Sequence, residues 1–132
     1  MYLIDTDILI YALKGDPIVV NRIRQMASQP KAVSVISYGE LLYGAMKSHR
    51  RQESLARARR VAELFPIVDV TKAVVETFGS VKAEMESEGA RVDDCDLLIA
   101  STALTLGYRL VTNNERHFRL VPGVKIENWS HA

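Results

Sequence analysis

Carboxylates recur in this chain at places where packing has no use for them. Asp5 closes the apolar run Tyr2-Leu3-Ile4, and Asp7 follows two residues on. Glu40 lies three residues after Ser37, and Asp93, Asp94 and Asp96 crowd the approach to the apolar stretch Leu97–Leu106. Brought together, such acids repel one another, and withdrawing them from water costs several kcal/mol. A hard divalent cation with oxygen ligands relieves that cost. A cation so held can activate water and offset charge on a phosphodiester. Each acid also has a plainer use. Asp7 reads better as a helix N-cap than as a chemical group. The Ser37–Glu40 spacing is that of a capping box. Asp96, in the first turn of a helix, gains about 0.3–1 kcal/mol from the dipole alone. Asp93 and Asp94 serve equally as caps or loop acids. Asp5, abutting a core run, is the one acid whose position by itself points to function.

The elements that must position these groups alternate. Short apolar runs predict strands at Tyr2–Ile4, Ala32–Ile36, Ile67–Val70 and Arg109–Thr112, with Val124–Glu127 as a fifth. Helical spacing covers Ile8–Leu13, a second helix opened by Asp16-Pro17, then Ser37–Met46 and Glu53–Leu64. A long helix from Thr71 to Glu88 stops at Gly89, and Leu97–Leu106 stops at Gly107. This is an α/β pattern: one domain over residues 1–132, a twisted, mainly parallel sheet of four to five strands flanked by helices. The C-terminal ends of parallel strands share one edge, where sites in open α/β sheets lie. Asp5, Asp7, Glu40, Asp93, Asp94 and Asp96 all come from segments expected near that edge, with Thr6, Ser37, Thr112, Asn113 and Asn114 beside them.

Composition sets the outer bounds. The chain has 132 residues, 48% hydrophobic and 25% charged, with a net charge of +1, so overall charge selects no partner. The single cysteine, Cys95, excludes an internal disulfide and fits a reducing compartment. The first residues carry neither the basic nor the apolar region of a signal peptide, and no apolar run is long enough to span a membrane. A cytoplasmic protein is expected.

The blocks Leu3-Ile4-Asp5-Thr6, Ser37-Tyr38-Gly39-Glu40-Leu41-Leu42-Tyr43-Gly44, Asp96-Leu97-Leu98-Ile99-Ala100 and Leu110-Val111-Thr112-Asn113-Asn114 through His117-Phe118 follow one another in order. The tail Val121-Pro122-Gly123 through Asn128-Trp129 completes the set. Together they resemble the PIN domain, in particular the VapC-type toxins of toxin–antitoxin pairs, from residue 3 to residue 129. The resemblance implies a Mg²⁺- or Mn²⁺-dependent endoribonuclease. Asp5 and Asp96 would ligate the metal directly. Glu40 would ligate it through water or orient the nucleophile, and Asn114 would be a weak further ligand. Thr6, Ser37, Thr112 and Asn113 would hydrogen-bond the carboxylates or water. Two positions depart from the family pattern: Asn114 stands where an acid is frequent, and His117 replaces an acid that many relatives carry before the phenylalanine. The resemblance also implies an RNA substrate, a VapB-type antitoxin that wraps the toxin and reaches its site, and a homodimer.

Other features have two readings each. Lys47, Arg50, Arg51 and Arg57 lie in a basic stretch that suits an RNA backbone or a solvated helix face. Leu9 and Tyr11 on one helix, with Leu42, Tyr43 and Met46 on another, exceed what thin helices bury and suggest an antitoxin groove; otherwise they are core. Cys95 reads as a packed thiol. His49, His117 and His131 lack zinc-ligand spacing. Three other functions compete: a phosphoacceptor receiver domain, a phosphatase of the haloacid-dehalogenase type, and a catalytically inactive RNA-binding module. The receiver needs an exposed aspartate after its third strand, whereas Asp69 is expected inside one. The phosphatase needs a longer chain.

Overall fold

The chain builds one parallel sheet whose middle strand is its first. The structure, a computed structural model, describes residues 1–131. Its strands are β1 (Tyr2–Ile4), β2 (Lys31–Ser34), β3 (Ile67–Val68), β4 (Arg109–Val111) and β5 (Ile126–Glu127). They lie in the order β3-β2-β1-β4-β5, all parallel. Leu3 faces Ala32 on one side and Leu110 on the other. Successive side chains of a strand point to opposite faces. Leu3, Ala32 and Leu110 therefore enter one core with Phe118, and Ile4, Val33 and Val111 enter a second with Trp129. Burial on both faces is why these strands read as unbroken apolar runs and not as alternating ones.

Among the described residues seven helices cover the two faces: α1 (Thr6–Leu13), α2 (Pro17–Gln25), α3 (Val35–Met46), α4 (Arg51–Leu64), α5 (Lys72–Ser87), α6 (Asp94–Leu106) and α7 (Glu115–Phe118). The expected caps of α2 and α5 are in place: Asp16 accepts from the backbone N–H groups of Ile18 and Val19, and Thr71 from that of Val74. Gly107 ends α6 in the left-handed region at φ +70°, which only glycine adopts without strain.

Four helices start earlier than the sequence suggests: α4 gains a half-turn at Arg51 without a side-chain cap, and in the other three a polar residue caps the helix ahead of its apolar stripe. Asp5, not Asp7, is the N-cap of α1, its Oδ1 accepting from Thr6 N at 2.8 Å. Ser34 caps α3, accepting from Ile36 N at 3.1 Å, so β2 ends there although Val35 and Ile36 are good strand formers. Asp93 caps α6, accepting from Cys95 N at 3.0 Å. Ser37 therefore lies inside α3 and caps nothing, and the capping-box reading of Glu40 falls with it.

Candidate active site

The first and fourth strands set the centre of the site. Asp5 leaves the end of β1 with its backbone N–H bonded to Val111 O at 2.9 Å, which locks it beside the end of β4. It is only 5% exposed. Thr112 Oγ1, the next residue out of β4, donates to Asp5 Oδ2 at 2.8 Å. The same oxygen accepts from Asn114 N at 2.9 Å, so the turn after β4 is pinned to the carboxylate. Asp7, in the first turn of α1, faces the same turn after β4. Its Oδ2 accepts from Asn113 N at 3.1 Å and its Oδ1 from Ile8 N at 2.7 Å.

The other acids arrive from α3 and α6. Glu40 Oε1 accepts from Thr6 Oγ1 at 2.6 Å, a bond that ties α3 to the start of α1. Asp96 Oδ2 stands 3.0 Å from His117 Nε2. The electrostatics show that these groups converge. Burial and the charge of Asp7 push the Asp5 carboxyl up to about 7, against the hydrogen bonds from Thr112 and Thr6, and Asp96 adds to the rise. Burial also raises Asp7, opposed by the N–H groups of Asn113 and Ile8. Asp96 is raised to about 6, by burial first and then by Asp93, with His117 opposing and Glu40 adding its charge. Carboxylates shifted this far toward the neutral form are held in an arrangement that lacks positive charge.

Among the described residues, no three His, Cys, Asp or Glu side chains stand close enough to ligate one ion directly. The donor set nevertheless fits a hard divalent cation, which keeps several waters and needs only one or two carboxylates. Among the described residues three buried side-chain polar atoms have no hydrogen-bond partner: Ser37 Oγ in the first turn of α3, Ser101 Oγ within α6, and His117 Nε2 beside Asp96. Orphaned buried atoms of this kind call for a bound water or ion.

The remaining expectations divide. Asn113 is held on all sides: its Nδ2 donates to Tyr11 Oη at 3.1 Å, and its Oδ1 accepts from Asn128 Nδ2 and Ser130 Oγ. Asn114 is exposed and its side chain caps nothing in α7. Lys47, Arg50, Arg51 and Arg57 are exposed; Lys47 lies over the Tyr43 ring and Arg51 Nε donates to Met46 O. Cys95 is exposed and not packed, because α6 begins at Asp94 and turns it outward. Asp7, set aside as a cap, belongs to the centre; its 105-residue separation from Thr112 hid this. His117 was visible only as a departure from a pattern.

A groove does run between these helices, but none of the residues expected to form it lines it. Leu9 is 1% exposed and Tyr11 is half-buried, both packed in the second core, so neither is a groove wall. Instead α1 offers Ile10 and Leu13, which face Leu41 and Ala45 of α3 and Ala58 of α4 around a groove of about 360 Å³ that Glu40 also lines. Tyr43 and Met46 are exposed at 64% and 49%, whereas Leu42 is half-buried against the core.

A central Asp on β1, with acids from α3 and α6 at the same sheet edge, is the frame of an acidic phosphodiesterase centre. Residues 2–124 match the PIN domain family. The chain is 35% identical to "Ribonuclease VapC2" of Haemophilus influenzae, covering 97% of each protein. It is 31% identical to "tRNA(fMet)-specific endonuclease VapC" of Shigella flexneri, covering 98% of each. Its fold superimposes with a TM-score of 0.90 on the crystal structure of VapBC2 from Rickettsia felis bound to a promoter DNA fragment, at 31% identity over 97% of this chain and 98% of that one. The chain belongs to the PIN domain family, among its VapC ribonucleases. The receiver alternative fails on topology. Its third strand lies beside its first, whereas here β2 separates them, and Asp69, exposed just past β3, is two strands and about 10 Å of sheet away from β1.

Proposed function

We propose that this protein is a divalent-metal-dependent endoribonuclease, the toxin of a VapBC pair, in which Asp5 and Asp96 hold Mg²⁺ or Mn²⁺ and Glu40 assists. The observation that carries the reading is Asp5: a carboxyl nearly closed off from water, raised to about 7, at the end of the central strand. A bound divalent ion would lower the pKa of water and offset charge on the phosphodiester. The chain's own groups do the positioning. Thr112 fixes one oxygen of Asp5 and Thr6 N–H the other, so the carboxylate cannot turn away. Thr6 Oγ1 holds Glu40 toward the same edge, where it can accept a proton from an attacking water or orient it. Asn113 N–H keeps Asp7 beside Asp5, which sustains the negative charge that draws the cation in.

The exposed Arg50, Arg51 and Arg57 suit RNA phosphates, and a VapB-type antitoxin would seat an apolar helix in the groove between α1 and α3, with Tyr43 and Met46 at its border. A homodimer and a cytoplasmic location fit this reading; no described helix is long and apolar enough to cross a membrane. The test is RNA cleavage by metal-loaded protein purified free of contaminating nuclease. Asp5→Asn and Asp96→Asn should fold and lose cleavage, and Asp7→Asn should keep part of it. Full activity in Asp5→Asn would overturn the assignment.

A further inference from the structure

The last residues of the chain return to the catalytic edge. Trp129, fully buried in the second core with its ring 5.1 Å from that of Tyr2, fixes the tail beyond β5. Its neighbours Asn128 and Ser130 both reach the turn after β4. Asn128 Nδ2 donates to Asn113 Oδ1 at 3.1 Å and to Glu115 Oε2 at 2.9 Å, so it joins the turn to the start of α7. Ser130 Oγ lies 2.8 Å from Asn113 Oδ1 and 2.6 Å from Asn128 Oδ1, with one hydrogen to share between them. Asn128 Oδ1 also accepts from Ser130 N at 2.8 Å, which fixes the orientation of its amide. From the other side Tyr11 Oη accepts from Asn113 Nδ2 at 3.1 Å. None of these partners is one of the acids of the site. The groups that the turn presents do meet the acids: Asn113 N–H bonds Asp7, and the Thr112 hydroxyl bonds Asp5.

We infer that Tyr11, Asn128 and Ser130 are positioning residues of the nuclease centre: acting through Asn113, they hold the turn after β4 where its N–H and the Thr112 hydroxyl meet Asp7 and Asp5. The inference rests on reading Asp5 as the middle of the site. Thr112 N is bonded to Glu127 O at 2.9 Å, and the pairing of β4 with β5 goes no further. Past that bond the Asn113 side chain ties the turn to α1 on one side and to the tail on the other. Asparagine suits this place and aspartate does not. The tie needs an acceptor for Asn128 and Ser130 and a donor for Tyr11, and an ionised carboxylate only accepts. Misplacing a catalytic group by about 1 Å can cost about 100-fold in rate. The tail therefore does more than close the second core.

The experiment compares the full chain with its Tyr11→Phe/Ser130→Ala variant, which removes two hydroxyls and leaves the ring and the tail in place. Trp129, the only tryptophan, reports by its fluorescence whether the tail is seated. Amide hydrogen exchange, followed by nuclear magnetic resonance on metal-free protein, reports on the turn. In the double variant Trp129 emission and the exchange of Leu110 and Val111 should match wild type. The Asn113 amide should exchange roughly 3- to 10-fold faster, the worth of about one hydrogen bond. With saturating Mn²⁺, kcat for RNA should fall roughly 10- to 100-fold at unchanged KM. Ser130→Thr, which keeps the hydroxyl, should stay near wild type in exchange and in kcat. Unchanged Asn113 exchange, or faster exchange with kcat unchanged, would overturn the inference. If the double variant loosens throughout, with red-shifted Trp129 emission and faster Leu110 exchange, Tyr11→Phe alone decides: wild-type kcat there overturns the inference, and a lowered kcat with Trp129 still seated supports it. Metal-loaded wild type that leaves RNA uncut would instead overturn the ribonuclease reading, whatever the exchange data show.

Discussion

Replacing Asp5 with asparagine should stabilise the metal-free protein at neutral and alkaline pH while destroying its activity. An aspartate that titrates near 3.8 in the unfolded chain titrates near 7 in the fold. Below pH 4 it is protonated in both states and its shift leaves folding undisturbed. As pH rises from 4 to 7 the unfolded chain gives up a proton that the folded one retains, so stability falls across that window. About three pK units at 1.36 kcal/mol each set an upper figure of about 4 kcal/mol. Asparagine removes this loss but keeps the geometry only in part. Its Oδ1 still accepts from Thr6 N, while Nδ2 now faces Thr112 Oγ1, whose hydrogen must turn toward Asp7 Oδ2, 3.5 Å away. The net gain at pH 8 should be about 1–2 kcal/mol, or roughly 3–8 °C in Tm. The assay is thermal and urea unfolding of chelated wild type and Asp5→Asn from pH 4.5 to 8.5. Wild type should lose stability toward pH 7 and recover it when Mn²⁺ is added; the variant should lose less, keeping only the fall that the raised Asp7 and Asp96 carboxyls cause, and should recover less with Mn²⁺. A flat wild-type profile between pH 5 and 8, or an Asp5→Asn protein less stable at pH 8, would refute the reasoning.

Glu40→Gln should lower RNA cleavage by orders of magnitude with Tm nearly unchanged, since the amide oxygen still accepts from Thr6 Oγ1 and the helix cap is Ser34; an active variant would make Glu40 a strut between α1 and α3 only. Replacing Arg50, Arg51 and Arg57 with Gln should flatten the salt dependence of RNA affinity by roughly 0.7–0.9 log units per contact removed, and an unchanged slope would mark them as a solvated face. Tyr43→Glu should fold normally, because the side chain is 64% exposed, and should lose antitoxin binding by pull-down or calorimetry; retained wild-type affinity would move the antitoxin elsewhere.

What the sequence reveals here follows the range of the interactions involved. The strands at Tyr2, Lys31 and Arg109 announce themselves because both faces are buried and the runs are apolar throughout. Helix starts are less legible, since an Asp or Ser at a boundary looks the same whether it caps the next helix or ends the last strand. Asp5 does both, which is why its neighbour Asp7 attracts the capping role. The bonds that make the site span 34 residues from Thr6 to Glu40 and 107 from Asp5 to Thr112, and no local pattern encodes them. A surplus of apolar groups on α1 and α3 is legible, but not which of them line the groove between the two helices. Which of them face outward is settled by helix phase: Ile10 turns out and Leu9 turns in.

The central place of β1 also governs when this nuclease can exist. Its partners on one side are among the first residues made, but β4 and the turn that pins Asp5 and Asp7 are made only after residue 108. Trp129, fully buried, and the Asn128–Ser130 clamp on Asn113 come later still. At about 5–20 residues per second, the first strand waits several seconds or more with one edge unpaired. A nascent chain on the ribosome, surrounded by RNA, therefore cannot cut it. The centre can close only after β4, the turn that follows it and the tail that clamps Asn113 have all been made.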